Sequence, residues 1–459
     1  MAFCVLALAG VLVAACSLGP GQAPGPTSTG LVRCPAAAGG ESDPTATLTA
    51  GLTVSCVQLT ITRTNSWIRT VQAVVLGNQA DPLAGRRLLV FHPGGPGISA
   101  VAALLAGPPS VNFDQFAVLS WDGTTSGDGT GACGPESIHY LTERTPADFT
   151  SLAEATGEEC RIGFAGPDDI GAWSAADELE QLRVALGVDQ IDFLTMSYGT
   201  AIAEAYMRLH PERVRRAVID APIGLDVAWQ DRLAATQIVQ TRLANELALA
   251  CATDACTSVL DGVATQDAYA RLRQAVLDAR ATVGSGNLVL TPIMFDQATA
   301  LALRSEVYWP GYAQALTSAL AGDGTAMWRV GERTYLDVDR EAFYRSICAD
   351  VIRPDEPAEY AADDPLLFAY SSDLAPCVAF PHGHTFADVS EGAPAGQVIV
   401  VTSPDDVLSP TAMLQHAPYL ASVGDQCVTD IKGHTGYADA QVRSAEIEFF
   451  ASGALPEFC

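Results

Sequence analysis

The sequence predicts an α/β protein: a mainly parallel sheet flanked by helices, with a helical cap inserted into it. Three observations carry that expectation. Short apolar runs alternate with helical periodicity from Arg87 to Ala221. The alternation stops from about Pro222 to Gly392, where the pattern is mostly helical, and it resumes at Gln397–Thr402 (QVIVVT). No internal repeat is evident, so one sheet domain with an insertion explains the rhythm better than tandem domains.

Arg87–Phe91 (RLLVF) is a continuous apolar run followed by HPGGPG, as expected for a buried strand feeding a tight glycine turn. Phe116–Trp121 (FAVLSW) repeats the pattern and ends at Asp122-Gly123. Ser174 is predicted to cap the next helix, with Asp177 three residues on and Leu179, Leu182 and Leu186 at helical spacing before Gly187. Gln190–Met196 (QIDFLTM) is the following strand. After Ser197-Tyr198-Gly199 a helix runs to Pro211, and Ala217–Asp220 (AVID) reads as another short strand. Helices are expected at Trp229–Leu249 and Tyr308–Ala321.

Composition narrows the partners. Of 459 residues, 49% are apolar, which allows a large core and argues against disorder. The 25 basic and 53 acidic residues leave a formal charge of −28. So acidic a surface repels phosphate backbones, and no nucleic-acid partner is expected. Anionic headgroups are repelled too, so any membrane attachment must be lipidic or hydrophobic.

Met1–Ala15 (MAFCVLALAGVLVAA) is an apolar run ending in small residues before Cys16. It is shorter than the roughly 20 residues that cross a bilayer, and reads as a removable export signal. Val13-Ala14-Ala15-Cys16 resembles the bacterial lipobox, which makes Cys16 the expected lipidation site on a membrane protein facing outward. A secreted soluble form is the alternative. No Lys or Arg precedes Arg33, so the charged start usual in such signals is missing. Ser17–Gly30 is rich in Gly, Pro, Ser and Thr and reads as a flexible tether. The expected organisation is signal and lipobox 1–16, tether 17–33, first part of the core 34–221, cap 222–392, and last part of the core 393–459.

Twelve cysteines support export. Setting aside Cys4 and Cys16 leaves ten, and proximity suggests Cys34–Cys56, Cys133–Cys160, Cys251–Cys256, Cys348–Cys377 and Cys427–Cys459. A metal site at Cys377, His382 and His384 would lack a compact second ligand pair, so disulfides are expected instead.

Three segments could carry chemistry. Thr195-Met196-Ser197-Tyr198-Gly199 falls where a strand hands over to a helix, a corner that presents a serine hydroxyl above the sheet edge. Thr195 stands where a small residue is usual and is expected to add strain. His92-Pro93-Gly94-Gly95-Pro96-Gly97 offers backbone N–H groups unshielded by side chains. With the serine corner it reads as half of an oxyanion hole, with the N–H groups of Gly95 and Tyr198 as donors. A serine also needs a base and the base an orienting acid. Asp405 and Asp406 follow QVIVVT, and His434 lies in a glycine-flanked loop further on.

The order Ser…Asp…His is that of the α/β-hydrolases. The chain resembles the secreted members typified by tripeptidyl aminopeptidases and related to proline iminopeptidases, from roughly Cys34 to Cys459. The resemblance rests on PGGPG (Pro93–Gly97), SAADELEQLRVALGVDQIDFLTMSYGT (Ser174–Thr200), HPERVRRAVIDA (His210–Ala221), SICAD (Ser346–Asp350), DVLSP (Asp406–Pro410), GHTGY (Gly433–Tyr437) and SGALPEFC (Ser452–Cys459). It implies an α/β-hydrolase core, a helical cap, and release of short amino-terminal peptides. It implies Ser197 as nucleophile, Asp406 rather than Asp405 as orienting acid, and His434 as base. It also implies that Cys459 pairs with Cys427. Trp121–Gly127 (WDGTTSG) departs from the family stretch, where Arg-Gly normally follows the Asp, and is expected to reshape the pocket floor.

No metal or organic cofactor is expected, and the expected partner is a peptide with a free amino terminus. Glu306 and Asp350 are candidate anchors for that terminus, although solvated surface charge accounts for both more simply. A carboxylesterase or lipase is the nearest alternative, since one triad serves both bond types. A cell-surface binding protein on a degenerate scaffold is a further one. Epoxide hydrolases and dehalogenases place an Asp at the elbow, unlike Ser197.

Overall fold

The computed structural model describes residues 32–33, 51–62, 68–126, 133–161, 171–336, 338–380 and 392–459. Its centre is a nine-stranded sheet in the order β1-β2-β3-β5-β4-β6-β7-β8-β9. Strands β1 (Val32–Arg33), β2 (Thr53–Thr62) and β3 (Ile68–Gly77) form an antiparallel margin. β3 joins β5 (Phe116–Asp122) antiparallel, and β5 pairs parallel with β4 (Arg87–His92). The parallel run continues through β6 (Ile191–Met196), β7 (Val214–Asp220), β8 (Gln397–Thr402) and β9 (Asp425–Val428).

The central strands are mostly apolar because both faces are covered. Alternate side chains enter opposite layers. Leu88 and Val90 of β4 join one core with Phe193, Ala217 and Val400, while Leu89 and Phe91 join another with Leu194, Val218 and Ile399. Helix α1 (Ala100–Ala106) contributes Val101 and Leu104 to the second core. Helices α2 (Pro135–Glu143), α3 (Phe149–Cys160), α4 (Gly171–Ala185) and α5 (Tyr198–Leu209) border the first.

Between β7 and β8 the described regular structure is helical. It comprises α6 (Trp229–Ala250), α7 (Asp254–Leu260), α8 (Ala268–Asp278), α9 (Pro292–Ala302), α10 (Trp309–Leu320), α11 (Thr325–Leu336), α12 (Arg340–Asp350) and α13 (Pro365–Ser372). Their apolar faces merge with the sheet core, since Trp229, Phe295 and Tyr344 belong to the same cluster as Phe193. After β8 come α14 (Pro418–Val423) and α15 (Ala440–Ser452), whose Phe449 and Phe450 cover the second face.

One helix start differs from expectation. α4 begins at Gly171, so Ser174 lies inside it, fully buried, with its hydroxyl 3.0 Å from that of Thr124. The capping is done from afar: both carboxylate oxygens of Asp350 accept the Ala172 N–H, at 3.0 and 2.9 Å. Gly171 is required there, having φ +79°, and an added Cβ would lie 2.4 Å from Asp350 Oδ1.

Disulfides join Cys133 to Cys160, Cys251 to Cys256, Cys348 to Cys377 and Cys427 to Cys459. Cys56 is disulfide-bonded as well. Its expected partner Cys34, together with Cys4, Cys16 and nearly all of the expected signal and tether, lies outside the described residues; Val32 and Arg33 pair with β2. Cys377, held in its disulfide, is not available as a thiolate, and His382 and His384 lie outside the described residues. No cluster of metal ligands occurs among the described residues. Among them too, no helix is long and apolar enough to cross a membrane.

Candidate active site

Ser197 occupies the corner between β6 and α5 at φ +51°, ψ −128°, a conformation that costs a non-glycine residue energy and turns its side chain away from the strand. Its own N–H donates to Asp220 O at 2.9 Å, so the corner is pinned to β7. Crowding expected at Thr195 falls elsewhere. The Thr195 hydroxyl donates to Val218 O at 3.2 Å within the sheet, whereas a Cβ on Gly199 would lie 2.7 Å from His92 O.

The structure brings the three distant side chains together. His434 Nε2 lies 2.8 Å from Ser197 Oγ, and His434 Nδ1 lies 3.0 and 3.1 Å from the two Asp406 oxygens. Asp406 is buried and also accepts from the Leu408 and Ser409 N–H groups at 2.8 and 3.0 Å and from the Ser409 hydroxyl at 3.0 Å. Burial alone would raise its pKa. The charge and hydrogen bond of His434, with those amides, more than offset it and hold the carboxyl below its usual value. Asp405 points elsewhere, paired with Arg242.

The loop carrying His434 is held by a residue that the sequence pattern left as the end of a strand. Asp220 accepts from the Gly436 and Tyr437 N–H groups at 2.9 and 2.7 Å. Burial pushes its pKa up to about 6, against the lowering effect of those two bonds. Beside it Glu446 is buried with neither oxygen hydrogen-bonded, and burial pushes its pKa far up. On the other flank His434 N–H donates to Arg304 O at 2.7 Å.

The glycine turn meets the nucleophile closely: a Cβ on Gly94 would lie 2.7 Å from Ser197 Cβ. The Gly94 N–H donates to His92 Nδ1 at 3.2 Å, and burial lowers the His92 pKa to about 4, so this ring stays neutral and accepts. No hydrogen bond among the described residues takes up the N–H of Gly95 or of Tyr198. Tyr198 opens α5, where a backbone donor has no partner within the helix. Its hydroxyl donates to Asp350 Oδ2 at 2.5 Å.

The departing segment after Trp121 braces this turn. Gly97 N–H donates to Thr125 O at 2.8 Å, and Asp122 accepts from the Ser99 hydroxyl at 2.6 Å where α1 starts. On the other side Asp339 N–H donates to Gly97 O at 2.8 Å, which seats the start of α12 on the turn. Gly127 lies outside the described residues. Of the two candidate amine anchors, Asp350 is half-buried and engaged by Tyr198 and Ala172, and Glu306 is exposed with Lys432 Nζ at 3.9 Å.

A family model described as the α/β-hydrolase fold matches residues 87–254, the stretch from β4 through the elbow into the helical insertion. The chain has the α/β-hydrolase fold. Among curated relatives, serine protease Hip1 of Mycobacterium tuberculosis (strain ATCC 25618 / H37Rv) is 28% identical over 160 residues, 31% of either chain. Tripeptidyl aminopeptidase of Streptomyces lividans is 27% identical over 264 residues, 52% of this chain and 47% of the relative. Carboxylesterase B of the same Mycobacterium tuberculosis strain is 27% identical over 429 residues, 82% of this chain and 80% of the relative. The chain thus spans about a third of the Hip1 length and about half of the aminopeptidase length.

Proposed function

We infer that this α/β-hydrolase is an exported serine peptidase that releases short peptides from amino termini, held at the outer face of the membrane by a lipid on Cys16. The observation that carries the catalytic part is the continuous chain from Ser197 Oγ through both ring nitrogens of His434 to Asp406. His434 Nε2 takes the Ser197 proton as Oγ attacks the carbonyl carbon. The tetrahedral oxyanion receives the N–H groups of Gly95 and Tyr198. Collapse expels the amine, which takes the proton from His434, and leaves an acyl ester on Ser197. Water, deprotonated by His434, then frees the acid and regenerates the serine. Asp406, kept ionised, holds the Nδ1 proton and stabilises the imidazolium. The four disulfides among the described residues fit an oxidising compartment.

The exopeptidase reading draws on the aminopeptidase resemblance. A carboxylesterase is the second reading, favoured by the relative whose match covers 82% of this chain. Rates on a tripeptide anilide, its N-acetylated form and a short p-nitrophenyl ester separate them. The exopeptidase reading expects the free amine to be preferred. Equal cleavage of the acetylated peptide rejects it, and turnover of the ester alone supports the esterase. For the anchor, the intact mass of membrane-fraction protein should carry a diacylglyceryl group on Cys16; a mature chain without it rejects lipidation.

A further inference from the structure

We propose that Arg304 receives a carboxylate on the leaving fragment, which makes short substrates ending in a free carboxylate the preferred class. This rests on the serine-hydrolase reading above. The backbone of Arg304 is fixed on the base: its carbonyl accepts the His434 N–H at 2.7 Å, and Ser305 bridges to Gly433 as a short antiparallel pair. Gly433 must be glycine for this contact, since an added Cβ would lie 2.3 Å from Arg304 O. The base delivers its proton to the departing group, so the residue on the flank of His434 is on the leaving side.

The side chain is accessible to solvent, yet the surrounding protein desolvates it enough to lower its pKa. Its electrostatic neighbours are Asp373, Tyr308, Arg340 and Tyr370. Asp373 is already taken: Arg340 lies 3.1 Å from one of its oxygens and Arg144 lies 3.8 Å from the other. Arg340 follows Asp339, the residue seated on Gly97. No hydrogen bond or ion pair among the described residues occupies its N–H donors. Three guanidinium groups, those of Arg304, Arg340 and Arg144, thus neighbour one carboxylate, in a chain of net charge −28. A planar fork of unused donors beside two further guanidinium groups matches a carboxylate.

Two substrate pairs test this in the full chain, wild type and Arg304→Gln. The first is tetra-alanine against its C-terminal amide. The second is 4-acetoxybenzoate against its methyl ester, which carries the same contrast on an ester leaving group. The wild-type preference for the carboxylate, expressed as a ratio of kcat/KM, should fall about 10- to 100-fold in Arg304→Gln. Both members of a pair see the same active enzyme, so the ratio does not depend on how much variant folds. An unchanged ratio in the pair that is turned over overturns the proposal. Turnover of the esters alone would remove the peptidase reading and leave the Arg304 test standing. Turnover of none, without fluorophosphonate labelling of Ser197, would remove the hydrolase reading and this inference with it.

Discussion

The Tyr198 hydroxyl and the Asp350 carboxylate meet at 2.5 Å, joining the residue after the nucleophile to the last residue of α12. The same carboxylate caps α4. Removing it with Asp350→Ala orphans two buried donors, each worth about 1–3 kcal/mol. With the Tyr198 backbone N–H as a proposed oxyanion donor, kcat on a neutral ester should fall as well. A thermal shift without loss of kcat would show that the tether serves stability alone.

Burial pushes the Asp350 pKa up to about 7, against an unfolded value of about 4. Between those values the folded state binds more protons than the unfolded one, so stability falls as pH rises through the window. Glu204, raised to about 7 by burial, acts in the same direction. Asp350→Asn has no proton to lose and keeps an acceptor for Tyr198. Its denaturation midpoints at pH 5 and 8 should differ less than those of wild type, by on the order of 2–3 kcal/mol.

Asp406→Asn should leave the fold intact and lower kcat by about 10⁴-fold, because the amide cannot hold the required His434 tautomer. Ser197→Ala should abolish covalent labelling by a fluorophosphonate, read by intact mass.

Asp220 acts through the His434 loop rather than on substrate. Asp220→Ala frees the Gly436 and Tyr437 N–H groups and should lower kcat about 10- to 100-fold with little change in KM, the pattern of a displaced base. Asp220→Asn retains one acceptor and should recover part of the loss. Equal rates for both variants would contradict a positioning role.

Gly94→Ala combines φ +109° with a Cβ 2.7 Å from Ser197 Cβ, so the turn must move off the nucleophile. A loss of about 10²- to 10³-fold in kcat is expected, as for a missing oxyanion donor, with far-ultraviolet dichroism unchanged.

Local pattern determined much of this protein. The buried strands are legible because parallel strands covered on both faces need continuous apolar runs such as RLLVF and QVIVVT. Ser197 is legible because a sharp strand-to-helix corner admits few residue types beside it, and Gly94 and Gly95 because such a turn needs φ above zero. The choice of Asp406 over Asp405 came from a family resemblance; in the structure it corresponds to Asp405 being turned toward Arg242.

Packing between the helices and the sheet decided the rest. A local reading put the start of α4 at Ser174, whereas a carboxylate 178 positions away in sequence moves it to Gly171. Asp220 on the His434 loop, His92 beneath the glycine turn and Arg304 beside the base leave no trace in spacing or periodicity. Periodicity records which side of an element faces the core. It does not record which remote group satisfies a buried donor or carboxylate, because that depends on how two separately encoded surfaces come together in space.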